Sequence, residues 1–147
     1  MNLNQMTIKA QEAVQQAFQM AADYNHQGIE SGHLLKALLQ TEEGLIHFLF
    51  SKLGLGNVQP ILDKIVESYP KVSGGEPYLA RSASDALQNA MNKAKELGDS
   101  FASIEHLLMG LLAGKDAVAK MLKDAGASEQ ALLQAVKELR KGSKVDS

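Results

Sequence analysis

Seven apolar positions of one amphipathic stretch recur, at a constant offset of 73 residues, in a second stretch of the same chain. Ala10, Ala13, Val14, Ala17, Phe18, Ala21 and Tyr24 follow the three-and-four spacing of one helix face. Ala83, Ala86, Leu87, Ala90, Met91, Ala94 and Leu97 answer them one for one. The same offset carries His33 of "SGHLLKALL" onto His106 of "IEHLLMGLL". Independent helices have no reason to keep register over two segments, so the chain contains an internal repeat.

The likeness continues once small gaps are allowed. Ile46, Leu49, Phe50 and Gly54 fall on Val118, Met121, Leu122 and Gly126. After one further gap Asn57 falls on Ser128, and Ile61, Leu62 and Ile65 fall on Leu132, Leu133 and Val136. Asn57 and Ser128 are good N-caps, because a short side-chain oxygen accepts from the open amides of a helix start. Gly54 and Gly126 suit the left-handed residue that ends the preceding helix. No strand-like alternation is present.

The expected fold is all-α: eight short helices in two four-helix repeats related by an approximate two-fold axis, packed as one domain over residues 1–147. Repeat one spans residues 7–69 and repeat two 82–141. Residues 70–81 form the linker, where Pro70, Gly74, Gly75 and Pro77 disfavour helix.

Composition narrows the function classes. A net charge of −2 argues against nucleic-acid binding, which calls for a basic face. With no cysteine, disulfides and thiolate metal sites are excluded. The start "MNLNQMTIKAQEAV" does not read as a signal peptide, and no apolar run is long enough to span a bilayer, so a cytoplasmic protein without membrane contact is expected.

The chemical motifs are weak. His33 and His106 open a metal reading, but a zinc helix wants a second histidine four residues on, where Ala37 and Gly110 stand. His26 and His47 lack partners at ligand spacing, so the histidines read as hydrogen-bonded helix residues. "GLLAGKD" (110–116) has three residues between its glycines where a phosphate loop needs four, and Asp116 follows the lysine. No catalytic constellation is present, and no metal or cofactor is expected. Thr7, Asp99 and Glu105 are polar residues at helix starts, open to two readings, caps or a binding surface. The basic end "KELRKGSK" suits a helix C-terminus.

Two pseudo-symmetric units leave a groove where their first helices approach. Ala86 and Ala90 are small enough to keep it open, and Leu87, Met91 and Met109 offer soft apolar contacts; the same residues also read as core. An apolar groove rimmed by acidic residues fits the exposed apolar side chains of unfolded segments.

With the repeat laid out, the chain resembles the amino-terminal domain of the Clp family of AAA+ unfoldases. "LGDSF" before "IEHLLMGLL" and "NHQGIE" before "SGHLLKALL" are similar to the two family signatures. The opening "LNQMTIKAQEAV", the linker "YPKVSGGEPYLA" and the closing "LRKGSKV" resemble the ClpB-type disaggregases most. The resemblance implies a non-catalytic domain that engages unfolded or aggregated polypeptides, or adaptor and co-chaperone proteins, above a homohexameric ring. ATP would be bound by ring modules absent from this fragment, itself expected to be monomeric, and residues 142–147 would begin the linker to them. The competing implication is an adaptor- or substrate-docking domain of a ClpC- or ClpA-type unfoldase that feeds a protease.

The resemblance also carries a substrate-handling role onto Thr7, Asp99 and Glu105. Some ClpC-type domains read phosphorylated arginine with an acidic residue before the histidine of both repeats. Glu105 fills the second of these positions and Gly32 the first, so the pattern of a symmetric reader is incomplete.

Overall fold

The computed structural model describes residues 3–72 and 74–141. Residues 142–147, expected to begin a linker, lie outside the described residues. A short 3-10 turn, Leu3–Gln5, precedes α1 (Ile8–Asp23), α2 (Ser31–Thr41), α3 (Glu43–Leu53) and α4 (Gln59–Glu67). The same order returns in α5 (Arg81–Glu96), α6 (Ile104–Leu112), α7 (Ala117–Asp124) and α8 (Glu129–Arg140). Among the described residues the fold is thus all-α, with eight α-helices.

Local sequence explains the helix ends. Thr7 starts α1, its Oγ1 accepting from the amide of Ala10 at 3.2 Å. Asp116 and Ser128 cap α7 and α8 in the same way. Asn57 acts one residue outside the expected place: Val58 is the cap position of α4, and Asn57 Oδ1 accepts from Gln59 N at 3.0 Å. After the first long helix of each repeat the chain turns through a left-handed residue, Asn25 (φ 62°) in one and Gly98 (φ 75°) in the other. These residue types tolerate that conformation best, and the two stand at equivalent positions.

Two very short strands accompany the helices. Gly28–Ile29 (β1) and Tyr78–Leu79 (β2) pair in parallel, and Met6 bridges to Ala102 in parallel. Strands of two residues are too short to show alternation in a sequence. Their placement is informative. The segment before α5 pairs with the segment before α2, and the segment before α1 pairs with the segment before α6. Equivalent bonds carry both ladders: Ala80 N donates to Ile29 O and Thr7 N to Ala102 O, each at 2.9 Å. Each repeat therefore threads its entry strand against the other repeat, and the two halves are interlocked reciprocally.

One core runs through both repeats. Helix α2 packs on α5 and α6 as well as on α1, while α4 meets α7 and α3 meets α8. Leu35, Leu38, Leu108 and Leu111 are fully buried, each worth about 2 kcal/mol of burial. The tightest contact is α5 on α6. A β-carbon at Gly110 would lie 2.2 Å from the carbonyl oxygen of Ala86, so only glycine lets the backbones approach this closely.

Candidate functional site

The repeated histidines explain themselves at the helix starts. His33 and His106 are the third residues of α2 and α6, and each reaches back to the amide before its helix. Glu30 N donates to His33 Nδ1 at 2.9 Å, and Ser103 N to His106 Nδ1 at 2.8 Å. The side chains of Glu30 and Ser103 return the favour to the third amide, completing a capping box with histidine where glutamate or glutamine is usual. With Nδ1 accepting, each ring carries its proton on Nε2. His33 donates it to His26 Nδ1 at 2.9 Å, and His106 donates it to Asp99 Oδ2 at 2.8 Å.

His26 and Asp99 are 73 positions apart, so the same scaffold holds different chemistry in its two copies. Around His106 it is ionic. Arg140, from the end of α8, donates to Asp99 and, through Nε, to Glu105 Oε2 at 3.2 Å. Glu105 also accepts from Ser103 Oγ. Around His33 the surroundings are aromatic. Tyr69 and His26 flank the ring with centroids 5.2 and 5.1 Å away, and Tyr69 Oη accepts from Gly32 N at 3.2 Å. Carrying the Ile65–Val136 register forward places Tyr69 opposite Arg140, and Gly32 stands opposite Glu105. A β-carbon at Gly32 would fall 2.6 Å from Tyr69 Oη, so the tyrosine occupies the space that Glu105 uses in the other repeat.

The charge states follow. Burial pushes the His33 pKa down to about 4, with His26 and Lys36 adding to the effect. His26 is lowered by burial and by Lys71. His106 is also lowered, chiefly by burial and also by Arg140, against the opposing pull of its bond to Asp99. All three are neutral at pH 7.

Two surface features hold the residues singled out in the sequence. The interlock sets Thr7, which precedes α1, beside Ser103 and Glu105, which start α6. These three share an open depression of about 480 Å³ with Ile8, Leu45 and Glu42. Asp99 does not line it; its carboxylate is fully buried beneath, tied to Arg140. The second feature is a groove of about 300 Å³ between the first helices of the repeats. Val14, Gln15 and Phe18 of α1 face Leu87 of α5 across it, with Leu3 and Leu79 at its sides. Phe18 is 42% exposed there, and Ile8, at the other end of α1, is 73% exposed.

The remaining candidates are more deeply placed. Ala90 is fully buried, and its amide lies 2.8 Å from where a Gly110 β-carbon would stand, in the α5–α6 contact. Met91 is buried as well. Met109 is buried at the floor of a separate pocket of about 350 Å³ between α5 and α8, near Lys93 and Glu129. The structure therefore joins Thr7 to Glu105 and places Leu87 in the groove, and it does not gather all seven into one surface. Sequence reasoning missed Arg140, whose cationic position at a helix end had a sufficient local explanation, and His26, Tyr69 and Phe18 as site residues. The 73-residue offset from Asp99 was the available signal for His26.

Among the described residues, no helix is long and apolar enough to cross a membrane. A family model of the Clp repeat (R) N-terminal domain matches residues 5–125. The chaperone protein ClpB of Bacteroides thetaiotaomicron is 48% identical over 149 aligned residues, and that of Porphyromonas gingivalis 45%. Each alignment covers 100% of this chain and 17% of the chaperone, so the chain spans about a sixth of those relatives. The Hsp104 N-terminal domain from Candida albicans superimposes with a TM-score of 0.82 at 20% identity, covering 97% of this chain and 95% of that one. The N-terminal domain of the ClpV1 ATPase from E. coli gives a TM-score of 0.75 at 22% identity, covering 99% and 91%. With two interlocked four-helix repeats and a family match over most of its length, this chain belongs to the Clp repeat N-terminal domain family.

Proposed function

We propose that the chain is the substrate-engaging N-terminal domain of a ClpB-type protein disaggregase. Its own task is binding: it takes apolar stretches of unfolded or aggregated polypeptide, while ATP binding and hydrolysis belong to modules of a longer, hexameric protein. The observation that supports this most directly is the groove between α1 and α5, apolar on every side but Gln15, with Phe18 held partly exposed. A half-exposed aromatic ring on a rigid helix offers contact area to many sequences and costs little entropy to immobilise. The depression at Thr7 and Glu105 supplies a mixed flank at the other end of α1, with Ile8 and Leu45 beside Thr7, Lys9, Glu42 and Glu105. Such a surface binds weakly and broadly, as handling varied clients requires. The similarity to ClpB chaperones over the full length of this chain supports the same reading.

The test is the affinity of the chain for a fluorescently labelled, denatured and reduced protein. Phe18→Ser is expected to weaken binding about tenfold, the loss of roughly 1.4 kcal/mol of apolar contact, with the fold intact. Unchanged affinity in a folded variant contradicts the groove as the client site.

A further inference from the structure

Neither ring of the His26–His33 pair can take up a proton without losing a hydrogen bond. His33 Nδ1 accepts the amide of Glu30, and its Nε2–H points at His26 Nδ1. His26 therefore carries its own proton on Nε2, and that atom is buried without a hydrogen-bond partner among the described residues. Protonating His33 means placing a proton on Nδ1 and breaking the cap of α2. Protonating His26 means placing it on Nδ1 and breaking the bond between the rings. His33 is fully buried and His26 nearly so.

The groups facing the pair do not favour a cation. Lys36, on α2 itself, is hydrogen-bonded to Tyr24 Oη at the end of α1 and to Asp63 on α4. Lys71, from the linker, forms a backbone bridge with His26. Tyr24 stacks on His26 with centroids 5.3 Å apart, and Tyr69, after α4, packs edge-on against it. Among the described residues Glu30 is the carboxylate acting on His26, and it is already used as a cap and accepts from Ser82 Oγ at 2.7 Å. The second repeat is built differently. A proton added to His106 would also break a cap, but only one histidine is involved there, and the bond of its Nε2–H to the Asp99 carboxylate favours the charged ring.

We infer that the chain contains an acid-sensitive switch centred on its first repeat: proton uptake by the His26–His33 pair releases the start of α2 and loosens α1 and α2, while the second repeat, with one buried histidine held by a carboxylate in place of two coupled rings, opens less. The apolar face of α1 that borders the groove belongs to the repeat that loosens, so mild acid enlarges the apolar surface the domain can offer. The asymmetry between copies, and not the presence of histidine, sets which half responds more.

Hydrogen exchange of the full 147-residue chain, corrected for the intrinsic pH dependence of exchange, tests this between pH 7.5 and 5. Below pH 6.5, protection in α1 and α2 is expected to fall about tenfold per pH unit for each proton taken up on opening, and protection in α5 and α6 to fall less steeply. His33→Gln keeps an acceptor for the Glu30 amide but cannot titrate, and it is expected to remove most of the response. Should that variant fold poorly, ring-nitrogen NMR shifts of the wild-type chain decide: the switch requires His26 and His33 to gain protons together with the loss of protection. Equal loss of protection in both repeats, or a loss that precedes histidine protonation, overturns the inference, as does a folded His33→Gln chain with the wild-type acid response.

Discussion

His26 and Asp99 hold the same place in the two repeats, and each receives the Nε2–H of the helix histidine seven residues further on. One acceptor is a neutral ring and the other a carboxylate. That single difference propagates outward. The carboxylate brings Arg140 across from the end of α8, and the ring brings Tyr69 from the end of α4. A duplicated scaffold has thus diverged into an aromatic half and an ionic half.

Arg140 is the residue on which the ionic half depends. Its guanidinium bonds to both Asp99 and Glu105. Arg140→Met leaves two nearly buried carboxylates without it, and urea unfolding at pH 7 is expected to show a loss of about 3–5 kcal/mol. Adding Asp99→Asn and Glu105→Gln is expected to recover part of the loss, because no uncompensated charge then stays inside. A single substitution with no effect would mean that the cluster is solvated.

Stability is expected to fall in mild acid. The His33 pKa is lowered from 6.5 to about 4 in the folded chain, so below pH 6.5 the unfolded chain binds a proton that the folded chain refuses. The stabilisation is fully present above pH 6.5 and declines as pH drops toward 4. This residue alone accounts for about 2 kcal/mol lost between pH 7.5 and pH 5. His26 and His106 act in the same direction. Equilibrium unfolding at the two pH values measures the difference, and equal stability at both contradicts the buried, neutral state of these rings.

Gly110 sets the approach of α6 to α5. Gly110→Ala puts a methyl group against the Ala86 carbonyl and the Ala90 amide, both backbone atoms with little freedom to move. A loss of about 2 kcal/mol or more is expected in thermal or urea unfolding. Helix propensity alone would make the same change stabilising by up to about 1 kcal/mol, so the sign of the result separates the two effects.

Much of this was legible in the sequence, and for identifiable reasons. Burial of one helix face preserves spacing, so Ala10 to Tyr24 and Ala83 to Leu97 revealed both the helices and the duplication. The capping roles of Thr7 and Ser128 follow from side chains bonding three residues ahead, a local effect. The ladders that interlock the repeats were not visible, because strands as short as Tyr78–Leu79 carry no period. Arg140 was read as a cation suited to the end of α8. Its bonds run to Glu105 and Asp99, 35 and 41 positions away, and only the tertiary fold brings them together. Ala90 illustrates the converse. A small residue on a helix reads equally as an open groove or a close packing, and α6 fills the space beside it.

The claim that the α1–α5 groove holds unfolded polypeptide is tested most directly by NMR titration of the labelled chain with a denatured, aggregation-prone protein at pH 7.5. The account predicts saturable shifts centred on Phe18, Leu79 and Leu87, with smaller ones at Ile8, Thr7 and Glu105. Shifts confined to the α3–α8 side of the domain, or no shifts at client concentrations that saturate a ClpB-type chaperone, would contradict it.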